Sequence, residues 1–202
     1  MNKDPNDVWK INDKELLAYH RRQYDEMYRS TEFLIGQLKS EWSGERNLNV
    51  LDVGTGGGAN LYYIASEFPE FSFTGIDINE YFVKEAEEKH SELGIKNTSF
   101  KVAGFEDIKE EYDVIGSTQV LEVVTMDKAR ALKEICFQKA KKGVYFLAMF
   151  TDKKLDYEIN IHDYIYDKVL PYNIYSIPQI NNLASKKYFD SNYLTFFSKE
   201  GS

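Results

Sequence analysis

The chain has 202 residues, with 25 lysines and arginines against 33 aspartates and glutamates, a net charge of −8 and an apolar fraction of 43%. That length suits one domain with a sizeable core and excludes two comfortable ones, while the negative sum repels phosphate backbones and sets an expectation of no nucleic-acid partner. One cysteine, Cys136, excludes an internal disulfide, and the longest apolar run, "VYFLAMF", is too short to cross a membrane. A cytoplasmic location with no membrane partner is therefore expected.

Residues 1–48 read as helical. Asn12 or Asp13 offers a first cap, Leu17, Tyr24 and Tyr28 recur at helical spacing, and Leu34, Leu38 and Trp42 do so again after a break at Ser30-Thr31. "SGERN" is then a loop. From residue 49 strand and helix patterns alternate: "NVLDVG" is a buried strand, and Leu61, Ile64, Ala65 and Phe68 mark a helix that stops at Pro69. "FSFTGID" is a second strand, followed by a helix capped by Asn79 and stopped at Gly94. "TSFKVAG", "YDVIGST" and "VYFLAMF" are three further strands, the last two separated by a helix over 127–141 that ends in the lysines of "KAKKG" and buries Cys136. Such alternation implies a doubly wound, mostly parallel α/β sheet covered on both faces. After Phe150 the pattern loosens, with a helix around 162–169, another following Pro178, and a last strand at 192–198 that nothing follows. The organisation is a single domain over 1–200: a helical lid (1–48), a ligand-binding core (49–150) and acceptor-side loops (151–200).

Four glycines in the five positions 54–58 exceed what a tight strand-to-helix turn requires, and they sit where open α/β sheets bind ligands. Gly54, Gly56 and Ala59 satisfy the dinucleotide fingerprint, with Asp77 at ribose distance, which fits an NAD(P)-dependent oxidoreductase. Against it stand Asp52 inside the first strand, where a pyrophosphate turn gains nothing from negative charge, the extra Gly58, and the long helical segment before the first strand.

"VLDVGTGGGAN", "FTGIDIN", "VAGFEDI" and "YDVIGSTQVLEVV", in that order, resemble the class I S-adenosylmethionine-dependent methyltransferases, over residues 47–150. The resemblance implies a Rossmann-like methyltransferase fold with S-adenosylmethionine as cofactor. Gly54, Thr55, Gly56 and Gly58 would wrap its methionine portion, with Asp52 near the ammonium. Asp77 would accept both ribose hydroxyls, Ile78 would pack on the adenine, and Phe105 and Glu106 would stand at the adenine edge. Phe105 departs from the family's frequent Asp, and Val123 from its frequent His. Ser117, Thr118 and Gln119 would lie beneath the sulfonium, with Gln119 the choice for a polar contact, and Glu122 would support the loop. Transfer would be an in-line displacement needing alignment and, for a hydroxyl or ammonium acceptor, a base. His162, in the acceptor-side segment, is the candidate base; His20 lies in the lid, and His90 reads as a packing residue. Tyr19, Arg22, Gln23, Tyr24 and Tyr28 are lid candidates. No motif here calls for a metal. The expected acceptor is a small molecule or saccharide, and an open edge at a shortened C-terminal strand pair would invite a homodimer. An oxidoreductase and a non-catalytic S-adenosylmethionine-binding domain remain as alternatives.

Overall fold

A computed structural model describes residues 9–10, 14–151, 156–163, 168–176, 184–189 and 192–198. The apolar runs of the core become strands because each is covered on both faces. β1 (Asn49–Val53) sends Val50 into one cluster and Leu51 and Val53 into the other. β5 (Ala140–Thr151) divides likewise, Tyr145 and Leu147 to the first side and Val144, Phe146, Ala148 and Phe150 to the second. The first layer is closed by α2 (Arg29–Glu41), α3 (Ala59–Glu67) and α4 (Glu80–Glu92), through Leu34, Leu38, Leu61, Ile64, Val83 and Ala86. α5 (Met126–Lys139) closes the second with Ala129, Leu132 and Cys136. Burial pushes the Cys136 thiol up to about 12, so it acts as an inert apolar group.

β2 (Ser72–Asp77), β3 (Thr98–Val102) and β4 (Tyr112–Thr118) complete a parallel set in the order β3-β2-β1-β4-β5. The direction of winding reverses between β1 and β4, which opens a crevice at their carboxyl ends. β9 (Asn192–Ser198) runs antiparallel beside β5, and β8 (Ala184–Phe189) pairs with the far side of β9. The last strand is therefore not an unpaired edge, and the C-terminal strand pair is present as two strands.

Three local expectations are corrected. At the two ends of the helix expected around 162–169 the described residues are strand: β6 (Tyr157–Asp163) pairs antiparallel with β7 (Lys168–Ser176), 164–167 lying outside the described residues, and β7 meets β5 at Phe150–Tyr175 and Thr151–Ser176. The alternation of Tyr157, Ile159 and Ile161 with polar neighbours is strand period, and long-range pairing satisfies it. The helix expected after Pro178 gives way to β8 at 184–189, the stretch between lying outside the described residues. Lys141 and Lys142 belong to β5, not to the end of α5, and Lys142 pairs with Glu45 at 2.6 Å. The Asn12 and Asp13 caps also lie outside the described residues.

Gly116 in central β4 faces Tyr145 of β5, and a Cβ there would stand 1.9 Å from the ring's Cζ. Gly116→Ala should therefore destabilise the fold by about 2–3 kcal/mol through overpacking, seen as a lower urea midpoint with an unchanged denaturant slope.

Candidate active site

The site is built where β1 and β2 end. The backbone N–H groups of Gly54 and Thr55 both donate to the Ile76 carbonyl, at 2.8 and 3.0 Å, folding the loop over the tip of β2. Gly54 (φ 73°) and Gly56 (φ 55°) take left-handed conformations that favour glycine. Asp77 then ties two elements together: Oδ2 accepts from Gly56 N–H and Oδ1 from Asn79 N–H, each at 2.9 Å. Asn79 caps α4, its side-chain oxygen accepting from the N–H of Tyr81 at 3.0 Å and of Phe82 at 3.4 Å. Burial pushes the Asp77 carboxyl upward, against the opposing pull of N–H groups from Asn79, Gly56 and Ile78.

Asp52 lies beneath the loop, buried, its carboxyl pushed up to about 6 chiefly by burial, with the nearby Asp77 charge adding to the shift and the neighbouring Thr55 hydroxyl opposing it. Gly58 serves packing: a Cβ there would press on Ala86, on the Tyr24 hydroxyl and on His90. His90 is likewise structural, bridging Thr98 Oγ1 at 2.9 Å and the Gly58 carbonyl at 3.0 Å.

The N-terminal segment crosses this loop. α1 (Lys14–Asp25) places His20 and Tyr24, four residues apart, on one face. The Tyr24 hydroxyl donates to the Gly57 carbonyl at 2.6 Å, and the His20 ring stands so close that a Cβ on Gly56 would meet it at 2.8 Å. Arg21 makes two 2.7 Å hydrogen bonds to the buried Glu85 of α4. Upstream, Trp9 spans both sides of the crevice, its indole N–H donating to the Val123 carbonyl at 3.2 Å and its own carbonyl accepting from Asn79 at 2.7 Å.

These elements enclose a cavity of about 500 Å³. Its lining includes Asp77, Ile78, Phe105 and Glu106, the loop residues Gly54, Thr55 and Gly56 with Gln119, and Glu122, Val124, Lys128, Met149 and Tyr172. Phe105 and Glu106 are held in a 3₁₀ turn, Phe105–Asp107. Gln119 is one of two non-glycine residues among those described with positive φ (58°), anchored by its N–H to the Leu147 carbonyl at 2.7 Å. The backbone cradle, the acid at the end of β2 and a cavity of this volume fit an adenosyl cofactor.

Of the sequence candidates, Asp52, Gly58 and Ser117 stay outside the cavity wall. Ser117 is buried and donates to the Val53 carbonyl at 3.1 Å, so it ties β4 to β1, while Thr118 faces the cavity. Tyr19, His20 and Gln23 of the lid line the cavity; Arg22 does not. His162 lies in β6 opposite Val169, on a strand and not in a loop; its side chain is outside the described residues. Trp9, Lys128, Met149 and Tyr172 come from four separate stretches and carry no motif.

A family model described as a methyltransferase domain matches residues 44–187. The chain belongs to this methyltransferase family. A release factor glutamine methyltransferase of Streptococcus pneumoniae is 36% identical over 87 residues, covering 43% of this chain and 31% of that protein. A ribosomal RNA small subunit methyltransferase C of Psychromonas ingrahamii is 29% identical over 92 residues, covering 46% and 25%. The chain thus spans a third or less of these curated relatives. Among solved structures, magnesium protoporphyrin IX methyltransferase from Synechocystis PCC 6803 with bound SAM superimposes with a TM-score of 0.61 at 17% identity, over 98% of this chain and 93% of that one, a likeness of fold.

The ribosomal RNA relative overturns the exclusion of nucleic acid from the partners. A net charge of −8 sums the whole chain, whereas an acceptor meets only the surface around one cavity mouth. The homodimer expectation loses its premise as well, because β9 is flanked by β5 and β8. No helix among the described residues is long and apolar enough to cross a membrane.

His20 generates a pH dependence. Burial lowers it from 6.5 to about 4, with Glu85 pulling upward, so the docked helix favours the neutral ring. The stability this contributes is complete above 6.5 and lost as pH falls towards 4. Hydrogen exchange of α1 amides, corrected for intrinsic rates, should speed up between pH 7 and pH 5; in His20→Leu that rise should flatten.

Proposed function

We propose that this chain is an S-adenosylmethionine-dependent methyltransferase acting by in-line displacement, with its cofactor lying along the cavity from Asp77 to Gln119. The observation that carries the reading is Asp77, a carboxylate at the end of β2 that already orders the glycine loop and lines the cavity beside it. A carboxylate offers about four acceptor sites, so it can accept from the ribose hydroxyls in addition to the N–H groups of Gly56 and Asn79. Ile78, Phe105 and Glu106 would enclose the adenine, and the loop from Gly54 to Gly56 the methionine portion, with Asp52 acting from below. The bound cofactor supplies an activated methyl group; the chain supplies alignment. Thr118 and Gln119 would face the reacting end, and α1 with Trp9 would exclude water there.

The acceptor group must fit what the cofactor leaves of about 500 Å³. That favours a small molecule or saccharide, entering between Tyr172 and the lid. The family to which the chain belongs removes the support for the oxidoreductase reading, and an acceptor screen that includes RNA and protein substrates separates a working enzyme from a binding domain. A buried, unpaired Cys136 accords with a cytoplasmic place.

S-adenosylmethionine and S-adenosylhomocysteine should each raise the melting temperature, by about 2.7 kcal/mol of added stability at a hundredfold excess over Kd. NAD should not, and stabilisation by NAD alone would sink the proposal. Asp77→Ala should remove most of the ligand-induced shift. It should also lower the melting temperature of the free protein, since Gly56 and Asn79 lose their acceptor, so the shift on adding ligand is the readout.

A further inference from the structure

We propose that Glu122 is the counter-ion of the cationic centre that the cofactor carries at its methyl-bearing position. The inference rests on the S-adenosylmethionine reading above and assigns a role to a residue that reading leaves idle. Glu122 sits in the 3₁₀ turn Leu121–Val123, directly after β4, and is 5% exposed. Its side chain belongs to the same cavity wall as Gly54, Thr118 and Gln119, yet Oε2 has no hydrogen-bond partner.

That vacancy is not slack in the turn. The Tyr175 hydroxyl donates to the Leu121 carbonyl at 2.9 Å, and the Asn173 amide donates to the carbonyls of Leu121 (3.1 Å) and Val124. The Trp9 indole holds the Val123 carbonyl between them. Donors from β7 and from the N-terminal segment thus fix the backbone on both sides of Glu122. A buried carboxyl without a partner is costly, and a cation delivered by a ligand would offset that cost.

Burial pushes the carboxyl up to about 8, against the pull of its own backbone N–H, so without a neighbouring cation the neutral acid predominates at pH 7. A sulfonium alongside it favours the carboxylate, and the proton leaves to solvent. The titratable group that interacts with it is Tyr175 from β7, which also feels Asp156 and Arg130 and has Lys133 of α5 at 4.7 Å from its ring centre, while Lys128 of α5 and His20 of α1 line the same cavity. His20, with its pKa of about 4, stays neutral near pH 7 and cannot release this proton.

Isothermal titration at pH 7, in buffers of different ionisation enthalpy, tests the assignment with three ligands. S-adenosylmethionine carries a sulfonium, sinefungin an ammonium at the same place, and S-adenosylhomocysteine a neutral thioether. Both cations should bind more tightly than the thioether and release protons; the thioether should release none. Glu122→Gln should weaken the two cations about tenfold and abolish the proton release, leaving S-adenosylhomocysteine affinity unchanged as the control for folding. An unaltered preference for cation over thioether in the variant, or no proton release from the wild type, overturns the proposal. If none of the three binds the wild type, the cofactor assignment itself fails and takes this one with it.

Discussion

The carboxylate of Asp77 accepts backbone N–H groups from two elements, the glycine loop after β1 and the N-cap of α4, and so joins them on the cavity side, as His90 of α4 also does through the Gly58 carbonyl. The loop has little else to define it, since its glycines contribute no side chains and several of its residues adopt left-handed φ values. Its other anchors are the Ile76 carbonyl and the face of α1. Everything later in the site is arranged around that clasp. His20 packs on Gly56, Asn79 reaches Trp9, and Trp9 reaches the turn that carries Glu122. The carboxylate presented to the cavity at the end of β2 is thus also the group that shapes the cavity wall around it.

The central sheet was legible because its signals are local. Apolar runs of strand length, helical spacing between them, Pro69 and Gly94 as stops and Asn79 as a cap each act within a few residues. The antiparallel pair of β6 and β7 was not. Its strands are rich in Tyr, Asn and Asp, Pro171 sits inside β7, and proline inside a run argues against a strand. Pairing with the neighbouring strand decided the matter against these local signals, as it did for β8, whose two lysines and serine carry no strand propensity.

The same division runs through the site. Positions on the glycine loop and at the end of β2 were readable because the chemistry and the turn coincide in one short stretch. Asp52 and Gly58 flank or belong to that loop and Ser117 lies near the end of β4, but strand alternation and helix packing turn them under the loop or into the sheet. Another part of the wall is assembled by Trp9, Lys128, Met149 and Tyr172, and the bond from Trp9 to Val123 alone spans 114 positions. No window along the chain contains that part of the cavity. Charge was misleading for a related reason: a sum over the whole surface says little about one mouth.

The strap formed by Trp9 and α1 has a further consequence. It closes the cavity with contacts to the very loop and turn that surround the ligand, so docking of the strap and binding of the ligand share one equilibrium. Linkage is reciprocal: whatever a ligand contributes to ordering the strap, the strap contributes to the ligand's affinity. A substitution on the outer face of α1 that touches no ligand therefore changes occupancy through the docked fraction alone. The helix that looks like a cover is, energetically, part of the binding site.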